Sequence, residues 1–324
     1  MPVNTVNLIS PGLFRAFHQS EITSDNIEGR LLQKLLARSS YLDQISINSF
    51  YDYLKKLPLA RYECTASGLE INDHLSVIYA QPLHLELKTD HIVARLLEIS
   101  GAELTRLVQL LNDFYKHAGI EFIQLASGKI CCVFSDNKKV YFTPSTDVLG
   151  RDIKHFLPRG DDARYWVSLF NEIQMLLHEN STELQGGLAS LNALWFWGSI
   201  QYAENSDLPE YIAGSSEWIK GMCMLDDISI VDIKELGTIE TDSVTVFDEG
   251  FLTAAATGDF NKWINQLDHF EKHVLGPLHK QLMNKVVDRI LLYDSPASAY
   301  ELKRSDRFRF FRKTPSFKKI CSAQ

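Results

Sequence analysis

Cysteine is scarce in this chain. Its 324 residues hold five, Cys64, Cys131, Cys132, Cys223 and Cys321, an odd number with no C-x-x-C pair among them. That usage excludes a disulfide framework or a zinc site built from thiols, and it points to a reducing compartment. Long apolar runs are missing too. No stretch approaches the roughly 20 apolar residues of a membrane-spanning helix, and the opening MPVNTVNLISPGLFRAF has no charged leader followed by a long apolar core. The expectation is a cytoplasmic protein with no membrane span. The motifs G-x-x-x-x-G-K-[ST], G-x-G-x-x-G and G-x-S-x-G are absent, which removes the usual signals for phosphate-cradling loops and nucleophile elbows. Positive charge is in deficit, 33 Lys and Arg against 41 Asp and Glu, for a formal net charge of −8. This balance disfavours nucleic acid as a partner while leaving room for a local basic patch.

What is present is ordinary globular material, 45% hydrophobic and 23% charged, in a chain long enough for a large core domain with a smaller one inserted. VNLISPGLF reads as a buried strand, Val6 to Ile9, stopped by Ser-Pro-Gly, with helical spacing at Leu31, Leu32, Leu35 and Leu36 after it. LSVIYAQPLHLELK is a second strand, with Leu83, Leu85 and Leu87 on one face. Ser100 and Glu103 form a capping-box pattern ahead of a helix carrying Leu104, Leu107, Val108, Leu111, Phe114 and Tyr115. Two or three short strands follow in IEFIQLASGKICCVFSDNKKVYFTPS.

A long amphipathic helix is then predicted, with Trp166, Leu169, Phe170, Ile173, Leu176 and Leu177 on one side and His178 at its end. SLNALWFWGS follows it. Next come the strand-like ISIVDI and SVTVF, a helix from Phe260 to Leu282, and the strand RILLYD. This alternation predicts an α/β core sheet flanked by helices and split by a smaller inserted α+β domain. The expected boundaries are 1–77 for the first part of the core, 78–160 for the insertion and 161–324 for the second part.

Several clusters have a chemical and a structural reading. His269 and His273 stand four apart and share a helix face, as metal-binding helices require. They lack the H-E-x-x-H glutamate, and an exposed helical pair is the simpler reading. GDDAR, 160 to 164, pairs two carboxylates where a helix N-cap belongs. Toward the C-terminus, Arg304, Arg307, Arg309, Arg312, Lys313, Lys318 and Lys319 alternate with Phe308, Phe310, Phe311 and Phe317. Such a pattern holds nucleic acid by phosphate contact and stacking. It equally suits an edge strand with phenylalanines buried on one face and arginines exposed on the other.

TPSTDVLGRDIKHFLPRG (143–160), LFNEIQMLLHEN (169–180) and SLNALWFWGS (190–199), in that order, resemble the bacterial cofactor-independent phosphoglycerate mutase-like regulatory proteins. More distantly the chain resembles archaeal-type cofactor-independent phosphoglycerate mutases of the alkaline phosphatase superfamily. The resemblance implies an alkaline-phosphatase-like core sheet on which carboxylates and histidines hold two divalent ions, Mn or Mg, and a serine accepts a phosphoryl group. The positions it offers here are Ser10, His178 and Asp294 for catalysis and Asp248, Glu249, Asp259 and Asp294 for metal.

The sequence departs from the family pattern at most ligand positions. Pro11 stands where the first aspartate is expected, Leu252 and Ala256 where an Asp and a His are expected, and Ser295 in place of a later histidine. No histidine follows His279, and no arginine lies between His178 and Trp195. Loss of most donors should abolish tight metal binding. The expectation is therefore a catalytically degenerate binding or regulatory protein with no cofactor, whose partner is a protein or an anionic small molecule. The alternative is a metal-dependent phosphomutase or phosphatase with a rearranged site. Trp195, Trp197 and Gly198 read as a core strand ending in a tight turn.

Overall fold

A computed structural model describes residues 3–14, 30–46, 54–135, 140–198 and 208–314. The elements run β1 (Val3–Ile9), α1 (Leu31–Arg38), β2 (Ser40–Leu42), α2 (Leu59–Ala66), β3 (Ser76–Leu87), β4 (Ile92–Leu96) and α3 (Gly101–Tyr115). They continue with β5 (Ile120–Gln124), β6 (Ile130–Phe134), α4 (Ala163–Glu179), β7 (Ala193–Trp197), β8 (Tyr211–Ala213), α5 (Glu217–Leu225) and β9 (Ser229–Ile230). Last come β10 (Ser243–Phe247), α6 (Phe251–Thr257), α7 (Phe260–Phe270), α8 (Gly276–Met283), β11 (Val287–Ser295) and β12 (Ser298–Lys303). The chain divides into two units, one of 1–54, 205–216 and 226–324, the other of 55–204 and 217–225.

The first unit is built on a mixed sheet of order β2-β12-β11-β1-β10-β8-β9. β1 lies between β11 and β10, parallel to both, and such a strand is apolar on both faces because helices cover each side. Val3, Val6, Leu8 and Ile9 are accordingly buried. α7 packs Phe260, Trp263, Leu267 and Phe270 into this core. Beyond it the helix widens into a π turn, Glu271–Leu275, before α8 begins with Pro277 in its first turn. Proline has no N–H to give to the ladder, so the first turn of a helix is where it is tolerated.

The second unit holds β4-β3-β6-β5, with β7 pairing to β3. α4 buries the six residues predicted for it, Trp166, Leu169, Phe170, Ile173, Leu176 and Leu177. α3 begins with the predicted capping box, Ser100 and Glu103 each serving the other's backbone. Trp195 and Phe196 are buried on β7, the Trp195 Nε1 donates to the Thr143 carbonyl at 2.9 Å, and Gly198 ends the strand at φ +107°. The tryptophans thus form a core strand, as expected.

Four expectations need correction. The insertion does not end at 160: β7 pairs with β3 from Tyr79↔Trp197 to Leu83↔Ala193, so α4 and β7 belong with the second unit, which also takes in α2 and α5. Leu87 is not on a buried face; at the end of β3 it is 79% exposed. ISIVDI supplies only the two-residue β9 before Asp232 caps a 3-10 turn through the Lys234 amide. Finally, 304–313 does not continue β12 as an edge strand. It opens with a 3-10 turn over Arg304–Phe308, and Phe308, Phe310 and Phe311 are 62%, 74% and 75% exposed. Asp306 starts that turn by accepting from the Lys303 amide, while Arg309 and Arg312 donate to the Arg38 and Ser39 carbonyls. The arginines hold the segment in place and the phenylalanines are left outside. Lys318, Lys319, Phe317 and Cys321 lie outside the described residues.

Candidate functional site

The parallel strands of the first unit bring their carboxyl ends side by side. Ile9 of β1 is in register with Phe247 of β10 and Tyr293 of β11, so Ser10, Asp248 and Asp294 are the next residues on three neighbouring strands. The carboxyl ends of parallel strands are where crevices form in α/β sheets. Ser10-Pro11-Gly12-Leu13 turns the chain away at once. Pro11 takes the second position of the turn and Gly12, at φ +89°, the third, with the Leu13 amide donating to the Ser10 carbonyl at 3.2 Å. This is the residue order a type II turn demands. Trp263 of α7 clamps the turn by donating its Nε1 to the Gly12 carbonyl at 3.0 Å. Glycine is required on a second count, since a Cβ at position 12 would lie 2.8 Å from the Ala255 Cβ.

The turn buries Ser10 and aims its Oγ at Asp248, donating to Oδ2 at 3.0 Å. Burial raises the Asp248 carboxyl above its ordinary value, opposed by the Ser10 hydroxyl and the Gly250 amide. His269 adds a favourable charge interaction with this carboxylate. A crevice of about 460 Å³ opens here, lined by Gly214 and Ser215 after β8, Lys234, Asp248, and His269 and His273.

Of the residues singled out in the sequence, the structure bonds Ser10 to Asp248 and lines the same crevice with His269 and His273, while the other candidates have partners or places of their own. Asp294 accepts from Ser298 Oγ at 2.6 Å and from the Tyr41 hydroxyl at 3.0 Å. Asp259 is the N-cap of α7, bonded to the Lys262 amide at 3.0 Å. Glu249 is half-buried just before α6, where Leu252 and Ala256 contribute apolar side chains. His178 sits exposed in the last turn of α4, in the second unit. Asp162 takes the N-cap position of α4 but makes no side-chain cap bond. Among the described residues no group of three His, Cys, Asp or Glu side chains could hold a metal ion. The described donors therefore do not make up the two-ion centre that the resemblance implies, in which each ion needs several protein ligands.

Lys234, Gly214 and Ser215 of the crevice were not read from the sequence. They follow short strands with no motif of their own, and only the sheet order brings them to Asp248.

No family model matches the chain. A 2,3-bisphosphoglycerate-independent phosphoglycerate mutase of Methanothrix thermoacetophila is 24% identical over 216 residues, covering 58% of this chain and 54% of the relative. One of Methanosarcina barkeri is 19% identical over 228 residues, covering 61% of this chain and 57% of the relative. The chain is a distant homologue of archaeal cofactor-independent phosphoglycerate mutases. It spans little more than half the length of these curated relatives. Among solved structures, the cofactor-independent phosphoglycerate mutase of Thermoplasma acidophilum aligns at 15% identity and TM-score 0.35, over 94% of this chain and 90% of that one. The PH0037 protein of Pyrococcus horikoshii aligns at 12% identity and TM-score 0.47, over 94% and 88%. Among the described residues no helix is long and apolar enough to cross a membrane.

Proposed function

We propose that this chain is a phosphoglycerate mutase-like protein that has lost phosphomutase activity and works as a cytoplasmic binding or regulatory protein, taking an anionic small molecule at the carboxyl ends of β8 and β10. The distant homology supports the phosphomutase-like ancestry and, with it, an alkaline-phosphatase-like reading of the core sheet. The observation that carries the loss of activity is the separate commitment of the acids. Asp248 is bonded to Ser10, Asp259 caps α7, and Asp294 is bonded to Ser298 and Tyr41. A carboxylate already engaged in local structure is a poor start for a shared ion cage. The crevice meanwhile keeps Lys234 as a cationic donor for an anion.

One observation favours a second reading, a metal-dependent phosphomutase or phosphatase with a rearranged site using Mn or Mg. Ser10 follows Ile9 between Asp248 and Asp294 at the carboxyl ends of three neighbouring strands, a hydroxyl flanked by two carboxylates. Calorimetric titration separates the two. Under the first reading 3-phosphoglycerate binds with or without Mn2+, Lys234→Met weakens that binding, and Mn2+ itself is not taken up tightly. Tight Mn2+ uptake that is required for phosphoglycerate binding would support the second.

A further inference from the structure

His269 and His273 project from one helix face into the crevice described above. Their rings lie 4.5 Å apart, centroid to centroid, and are tilted by 32°. The cause is local: His269 is in α7 and His273 in the π turn that follows. A wider turn brings positions four apart closer to the same angle about the helix axis, and π turns concentrate at functional sites. Both rings are exposed, and both line the crevice together with Asp248.

We infer that His269 and His273 form a two-imidazole chelate for a borderline divalent ion such as Zn2+. Rotation of exposed side chains lets one ion reach a nitrogen on each ring. The remaining positions of the ion open into the crevice, toward Asp248 and any bound anion. Imidazole ligands favour zinc, copper and nickel, whereas magnesium and manganese prefer oxygen. The two imidazole ligands are therefore distinct in chemistry from the oxygen-rich two-ion centre implied by the family resemblance, and neither is among the metal positions it offers. The chelate goes beyond the proposed function and does not depend on it, since zinc uptake is measured without a phosphorylated ligand.

The test is calorimetric titration of the full chain with Zn2+ alone, for the natural sequence, His269→Gln, His273→Gln and the double variant. Each single variant is expected to weaken uptake on the order of tenfold or more, at least as much as loss of an outer-sphere partner does. The double variant is expected to lose the event. Exposed positions tolerate such changes, and circular dichroism checks the fold. Copper(II) electron paramagnetic resonance gives an independent readout, with two nitrogen couplings in the natural chain and one in each single variant. Equal zinc uptake by the natural chain and the double variant, or a copper spectrum unchanged by the substitutions, would overturn the inference. Neither result bears on phosphomutase turnover, so the two claims fail separately.

Discussion

Ser10 Oγ and Asp248 Oδ2, 3.0 Å apart, tie the end of β1 to the end of β10. The bond continues the strand ladder by one side-chain step, directly after the Asp248 amide donates to the Ile9 carbonyl at 3.0 Å. It holds Asp248, which lines the crevice, and occupies one oxygen of an acid that the family resemblance offers to a metal.

A pH effect follows from this pair. Burial holds the Asp248 carboxyl above its ordinary value. A carboxyl raised on folding costs stability where it is ionised. The cost is absent below the unfolded value of about 3.9 and grows as pH rises through the folded value. Asp248→Asn keeps an oxygen for Ser10 and removes the charge. It is expected to be more stable than the natural chain at pH 7, with the gain shrinking as the pH falls toward about 4. Urea midpoints of both proteins at pH 7 and pH 5 measure this, and a variant equally destabilised at both contradicts it.

Gly221 is expected to be intolerant for a packing reason. α5 lies against α2 so closely that a Cβ at position 221 would fall 1.6 Å from the Tyr62 carbonyl oxygen. The helices must part to admit a methyl group. Gly221→Ala should cost about 3 kcal/mol or more, the upper end for overpacking. Thermal unfolding reads the loss, and a variant within 1 kcal/mol of the natural chain, a margin of about tenfold or less in the folding equilibrium, would show that the contact is looser.

The exposed phenylalanines give the opposite expectation. Phe310 and Phe311 are about three-quarters exposed, so Phe310→Ser and Phe311→Ser should change stability by no more than about 0.5 kcal/mol. Denaturant midpoints decide it. A loss of the size seen for buried phenylalanines, about 3 kcal/mol, would restore the edge-strand reading of this segment.

Much of the scaffold was legible where one rule governs one element. The spacing in α4 marked its six buried residues, the Ser100–Glu103 pair marked the start of α3, and Ser-Pro-Gly marked the turn after β1. What failed was long-range. Nothing in SLNALWFWGS states that its partner strand is β3, and without that pairing the second unit is cut short at 160. The alternation of Arg and Phe near the C-terminus has a strand's period, yet Asp306 accepts from the Lys303 amide and bends the backbone out of the sheet. The site was half legible. Ser10 and Asp248 were singled out separately, but their contact depends on β1 lying beside β10. The histidine pair was visible from its spacing, and its crevice was not.

Turnover is the most direct test of whether phosphomutase activity has been lost. Interconversion of 3- and 2-phosphoglycerate by the full chain, followed with saturating Mn2+ and again after chelation, tests it directly. No conversion above the uncatalysed rate under either condition is expected. Conversion that appears with Mn2+, vanishes with chelator and is lost in both Ser10→Ala and Asp294→Asn would contradict the account and make the chain a working phosphomutase.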